Sequence, residues 1–98
     1  MVTVRWTPQA TEDLESIIEF IADDSPHYAQ LFAINSIKAV ERLWDFPDLG
    51  RIVPEFDDPD IREILLGNYR IVYRIQKGSV EILTIYHGSR ILDPSKLK

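Results

Sequence analysis

Three residues in the last third of the chain have the types and spacing to handle an anion and move a proton: Arg70, His87 and Arg90. Arginine presents a rigid fork of N–H donors that matches phosphate or carboxylate oxygens. Histidine titrates near neutral pH and can serve as acid or base. One histidine flanked by two arginines could hold an oxyanion such as phosphate and move a proton beside it. Arg62 is a fourth candidate, placed by one residue of strand register. A two-residue loop at Gly67-Asn68 sets it opposite Tyr73, on an apolar face. A three-residue loop would set it opposite Val72, beside Arg70.

The stretch Ile61–Arg90 must position these groups. It reads as a three-stranded antiparallel meander with turns at Gly67-Asn68 and Lys77-Gly78, where glycine accepts positive φ at no steric cost. The central strand is Tyr69–Ile75, rich in β-branched and aromatic residues. Tyr69, Ile71, Tyr73 and Ile75 alternate onto one face, and Arg70, Val72 and Arg74 onto the other. A two-residue second loop sets Ile75 opposite Val80, Tyr73 opposite Ile82, Ile71 opposite Thr84 and Tyr69 opposite Tyr86. On the reverse face, Arg74 meets Glu81, Val72 meets Leu83, Arg70 meets Ile85 and Asn68 meets His87. In that register Arg70 and His87 point the same way, with Arg90 just past the strand end.

Upstream, Val2–Trp6 alternates as a short strand expected to join the same sheet. Thr7-Pro8 and Ser25-Pro26 each pair a capping hydroxyl with a proline suited to the first helical turn. Behind the first cap, Ala10, Leu14, Ile17, Ile18 and Ile21 form one helical stripe, leaving Glu12, Asp13, Glu15 and Glu19 on faces expected to meet solvent. Behind the second run Ala29, Phe32, Ala33, Ser36, Ile37, Val40, Leu43 and Trp44, as far as Phe46-Pro47. So short a connection makes the helices antiparallel, and their stripes are the natural cover for the Tyr69/Ile71/Tyr73/Ile75 face. The expected core joins Leu14, Ile18, Phe32, Ile37 and Val40 to Ile71, Tyr73 and Ile82. Arg51–Asp60 reads as a linker, and the tail after Arg90 is interrupted by Pro94. The fold class is α+β: an N-terminal strand, an antiparallel helical hairpin, then a three-stranded meander in one mostly antiparallel sheet, residues 1–98 forming one domain.

The chain has 98 residues, no cysteine and a net charge of −5. Disulfides, thiolate catalysis and cysteine-ligated zinc are excluded. The two histidines are far apart in sequence, so no metal site is expected, and no cofactor motif is present. No apolar run reaches the roughly 20 residues that span a bilayer, and a cytoplasmic protein without membrane contact is expected. The charge is uneven: residues 1–50 hold three basic and nine acidic side chains, residues 61–98 seven basic and three acidic. The acidic total argues against nonspecific nucleic-acid binding by the whole surface, while the sheet half could meet phosphate or an acidic partner.

The order of elements, with WTPQATEDLESIIEFIA, FPDLGRIVPE, REILLGNYRIVYRI and VEILTIYHGSR, resembles the RelE/ParE superfamily of bacterial toxins from type II toxin–antitoxin systems. The resemblance covers nearly the whole chain, and GNYRIVYRI and HGSR are its most specific parts. It implies a cognate antitoxin as partner, met through Arg62, Arg70 and Arg90, and one of two targets. RelE-like members cut messenger RNA in the ribosome, holding phosphate with a basic cluster on the sheet. ParE-like members poison DNA gyrase and lack that catalytic set. Arg70 matches the arginine after tyrosine on the central strand, and Arg90 the arginine just beyond the last strand. RelE-like enzymes also carry lysines on the preceding strand and a tyrosine in the tail. Here the preceding strand offers Arg62 beside Glu63, and no tyrosine follows Arg90. That difference tilts the expectation toward gyrase binding. The alternatives are a ribosome-dependent mRNA endoribonuclease, with Arg70, His87 and Arg90 catalytic, or a degenerate toxin acting only as a binding module.

Overall fold

A computed structural model describes residues 2–88 of the chain. Its elements run β1 (Thr3–Trp6), α1 (Pro8–Asp24), α2 (Pro26–Glu41), a 3₁₀ turn (Arg42–Trp44), β2 (Arg51–Ile52), β3 (Ile61–Leu66), β4 (Tyr69–Gln76) and β5 (Ser79–His87). The five strands form one sheet in the order β1-β5-β4-β3-β2. The pair β1–β5 is parallel, and every other pair is antiparallel. The expected α+β architecture is what forms, with one addition. The stretch read as a linker contributes β2, whose two residues pair with Glu63 and Arg62 at the sheet edge.

Both helix starts work as their sequences imply. The Thr7 hydroxyl accepts from the Ala10 N–H, the Ser25 hydroxyl accepts from the Tyr28 N–H, and a proline follows each cap. Ser25 also closes α1, its N–H donating to the Ile21 carbonyl at 2.9 Å. One residue therefore ends one helix and begins the next, which forces the antiparallel hairpin. Regular α-helix stops at Glu41, short of Phe46-Pro47, and the chain tightens into the 3₁₀ turn.

The hairpin packs on the expected face. Ala10, Val40 and Leu43 meet Ile71, Tyr73, Val80, Ile82 and Ile85, with Leu14, Ile17 and Phe32 packed around them. Ile37 does not join this core: it is 45% exposed. The buried line of α2 runs through Ala29, Ser36, Val40 and, in the following turn, Leu43. Ile37 sits about 100° around the helix from Ser36, at 3.6 residues per turn. Ile18, also expected inside, is half-buried. A second, smaller cluster lies on the other face of the sheet, where Val53 and Phe56 fold over Ile61, Val72, Leu83 and Tyr86. The segment 53–60 is thus a strap across the sheet face that the hairpin leaves open.

The turn at Gly67-Asn68 has two residues, with Leu66 paired to Tyr69 and Gly67 at φ 58°. Positive φ at the first turn position and not the second is the pattern of a II′ turn. This settles the Arg62 register: Arg62 pairs with Tyr73 and not with Val72. The second turn keeps the expected register through Tyr73 opposite Ile82, and then it changes. Val72 pairs with Thr84, Ile71 with Ile85, Arg70 with Tyr86 and Tyr69 with His87, the shift falling between Val72 and Tyr73. One extra residue on β5, a β-bulge, displaces every later pair by one.

The bulge is held from α1. The Thr7 hydroxyl donates to the Ile82 carbonyl at 2.6 Å and the Leu83 carbonyl at 3.2 Å. Asp13 accepts on one oxygen from both the Thr84 hydroxyl and the Ile85 N–H, the latter at 3.2 Å. A bulge frees backbone groups from the ladder, and buried backbone groups need partners. Asp13, expected on a solvated face, supplies one.

Candidate functional site

The bulge decides which side chains meet. It moves Tyr86 to the Arg70 side of the sheet, where the guanidinium lies over its ring at 4.9 Å to the centroid. His87 goes to the hairpin side, its ring edge-on to Tyr69 at 5.4 Å. The expectation that Arg70 and His87 share a face is therefore corrected by one residue of register. The two still border a shallow hollow of about 360 Å³ at the Gly67-Asn68 turn, along with Arg51, Leu65 and Gly88. Arg90 lies outside the described residues.

Arg70 is buried, and carboxylates hold its donors. The Nε donates to Glu63 at 2.5 Å, and the two terminal nitrogens each donate to one oxygen of Glu55 at 3.0 Å. Glu63 is fully buried, and its second oxygen accepts from the Arg51 Nε at 2.6 Å. The result is a chain of alternating charge, Arg51–Glu63–Arg70–Glu55, running from the sheet edge to the strap. Each carboxylate offsets the desolvation of the arginine beside it, which a lone buried charge could not survive. The Glu55 hydrogen bonds do most to push the Arg70 pKa above its ordinary value; burial opposes them, and Glu63 adds to them. Its partners therefore favour the charged form of Arg70 still further.

Tyr86 completes the cluster. Burial pushes its phenol up to about 12, with Arg70 opposing and Glu55 and Glu63 reinforcing. Its hydroxyl is buried and makes no hydrogen bond among the described residues. Arg74, read as a cross-strand partner of Glu81, is that: the pair is 3.8 Å apart, and Arg5 of β1 reaches the same carboxylate.

Arg62 stands apart from this cluster. It donates to three carbonyls, Pro59 at 3.0 Å, Gly50 at 3.0 Å and Asp48 at 3.3 Å. It clamps the two ends of the connection around β2. Beside it the Gly50 N–H donates to the Tyr73 hydroxyl at 2.8 Å. Burial raises the Tyr73 pKa above its ordinary value, against that hydrogen bond.

Sequence reasoning missed Glu55, Glu63, Tyr86 and Asp13 as site-forming residues. Glu63 was visible as an acid alternating onto the same strand face as Ile61 and Leu65, the signature of a carboxylate on an apolar face that needs a cation. Nothing local marked Glu55 or Asp13, whose partners lie 15 and 71 or more residues away.

The family model for the ParE toxin of the type II toxin–antitoxin system parDE matches residues 4–92. The chain belongs to the ParE toxin family. Toxin RelE2 of Caulobacter vibrioides is 33% identical over 92 residues, covering 93% of this chain and all of its own. Putative toxin Y4kP of Sinorhizobium fredii is 35% identical, covering 87% of this chain and 86% of its own. A chain of the chromosomal ParDE system from P. aeruginosa superposes with a TM-score of 0.72 at 22% identity, over 89% of this chain and 96% of that one. A chain of the RelBE2 toxin–antitoxin complex of Mycobacterium tuberculosis superposes at 0.61 with 27% identity, over 89% and 93%. This ParE-family chain is thus a toxin of the type II class with the fold of both branches.

Proposed function

We propose that this toxin arrests growth by binding a protein target, DNA gyrase, and that a cognate antitoxin neutralises it in the cytoplasm. The observation that carries the reading is the division of the candidate residues between two faces of the sheet. A nuclease needs its phosphate-holding arginine and its proton-moving group around one scissile phosphate. Here the Arg70 fork is taken by carboxylates on one face, and His87 meets Tyr69 edge-on on the other. The lack of lysines on β3 points the same way. A binder needs no such convergence.

The ribonuclease reading keeps one supporting observation. Arg70 and His87 both border the hollow at the Gly67-Asn68 turn, and Arg90 follows within three residues of His87 in sequence. In that reading these three residues are catalytic. Gyrase supercoiling and messenger-RNA cleavage on translating ribosomes, run side by side with purified toxin, separate the two.

For the antitoxin we propose an amphipathic segment that orders as it binds. Its apolar seat is a groove of about 410 Å³ lined by Tyr28, Leu31, Phe32, Leu66 and Tyr69. Tyr28 and Leu31 are exposed there, and acidic residues of the segment would meet Arg62, Arg70 and Arg90. Coexpression should give a stable complex and restore growth; failure of both would refute the pairing.

A further inference from the structure

The Arg70 cluster contains a carboxylate that does not belong to the sheet. Glu63 is a β3 residue, buried, and shared between Arg51 and Arg70. Glu55 is different: it comes from the strap, is an exposed residue, and meets the guanidinium at its outer end, through the two terminal nitrogens. End-on, two-point contact is how arginine receives an oxyanion from another molecule. Against the guanidinium lies the Tyr86 ring, 4.9 Å to its centroid, whose hydroxyl is buried with no hydrogen bond among the described residues. A buried donor without a partner is destabilising and open to an incoming acceptor. We propose that Glu55 is a built-in stand-in ligand: its carboxylate occupies the Arg70 fork until an acidic side chain of a protein partner displaces it, and the Tyr86 hydroxyl then donates to the incoming carboxylate.

The exchange leaves the strap backbone and the rest of the cluster in place. The strap backbone stays anchored by Val53, whose N–H donates to the Ile61 carbonyl, and by Phe56 against the second cluster. The movement the exchange requires is rotation of the Glu55 side chain away from the Arg70 fork. Arg70 keeps Glu63 throughout, so it is never a bare buried charge. With Glu55 turned away, Arg51, Glu63 and Arg70 carry one net positive charge, matched to a single carboxylate. A nucleic-acid backbone suits the place less well, because Asp57, Asp58 and Asp60 crowd the same strap and repel a string of phosphates. The proposal deepens the protein-binding reading and rests on it. It makes Glu55 a threshold that only a partner able to replace a bidentate carboxylate can cross.

The test uses full-length toxin and two fluorescent probes, a short Glu/Ser peptide and a short single-stranded oligouridine. Glu55→Gln should bind the peptide about tenfold more tightly than the parent, a change of about 1.4 kcal/mol. Asp57→Asn removes the same charge from the strap without touching Arg70, and should change binding less than about twofold, the small change expected of an exposed, screened charge. Glu55→Asp keeps the charge but shortens the reach, and should also gain affinity; it decides the matter if Glu55→Gln folds poorly. Adding Tyr86→Phe to either Glu55 variant should return most of the gain without lowering stability. Equal gains for Glu55→Gln and Asp57→Asn would reduce the effect to bulk charge and overturn the proposal. So would no gain in either Glu55 variant, or a gain undiminished by Tyr86→Phe. A larger gain for oligouridine than for peptide would replace the carboxylate partner with a phosphodiester and overturn it equally. Gyrase inhibition is read separately. Peptide gain without inhibition leaves the stand-in role in place and moves the target, whereas inhibition without peptide gain refutes the stand-in alone.

Discussion

Replacing Glu63 with glutamine should destabilise the fold more than any other single polar change in the cluster. Each carboxylate oxygen of Glu63 takes an arginine Nε, from Arg70 at 2.5 Å and from Arg51 at 2.6 Å. Glutamine keeps one acceptor and turns an amide donor toward the second arginine. Breaking a buried ion pair on one side costs about 3–5 kcal/mol. Arg70 retains Glu55, and Arg51 is largely exposed and contributes little. The lower end applies, about 3 kcal/mol. At about 4–8 °C per kcal/mol for a domain of this size, the melting temperature should fall by roughly 12–24 °C. Urea denaturation followed by circular dichroism gives the free energy, and an unchanged m-value confirms that one transition is being compared. Glu55→Gln, at the exposed end of the chain, should cost about 1 kcal/mol, an ordinary hydrogen-bond loss. Replacing Glu63 and Arg70 together with leucine and methionine should recover most of the loss, because well-packed apolar residues often match a buried pair. A Glu63→Gln cost below about 1 kcal/mol would refute the alternating-charge account of this face.

Ile71→Ala should cost about 2–5 kcal/mol in urea unfolding, since the side chain is fully buried under the hairpin. Asp13→Ala should cost about 1–3 kcal/mol and raise amide exchange at Ile85, whose N–H would lose its acceptor at the bulge. Gly50→Ala should be more damaging than an ordinary loop change, because a Cβ there would lie 2.6 Å from the Glu63 carbonyl and 2.8 Å from the Tyr73 hydroxyl. Tyr86 has a folded pKa of about 12 against an ordinary 10, so its contribution is complete below pH 10 and is lost as pH rises toward 12. Unfolding free energy should fall across that window, and Tyr86→Phe should flatten the fall by about 2–3 kcal/mol, at about 1.4 kcal/mol per unit.

What the sequence made legible was local. The Thr7-Pro8 and Ser25-Pro26 caps, the turn at Gly67-Asn68 and the alternation along Tyr69–Ile75 are each decided within a few residues. The structure reproduces them. The bulge was not legible, because Leu83-Thr84-Ile85 is an unremarkable strand sequence. Its stabilising contacts come from Thr7 and Asp13 at the other end of the chain. One inserted residue then exchanged the faces of Tyr86 and His87 and recomposed the site. The strand Arg51–Ile52 escaped for a related reason: two residues carry no periodicity, and only their pairing with β3 makes them a strand. Ile37 escaped because an apolar stripe wider than the contact leaves its margin in water.

The most direct test of the proposed function is growth inhibition by His87→Ala at matched protein level, with gyrase supercoiling as the molecular readout. His87 is exposed at the end of β5, so the fold should survive the change. A toxin that acts by binding transfers no proton, and the variant should arrest growth and inhibit supercoiling as fully as the parent. A harmless His87→Ala, beside a parent that cleaves messenger RNA on ribosomes and leaves gyrase untouched, would contradict the account.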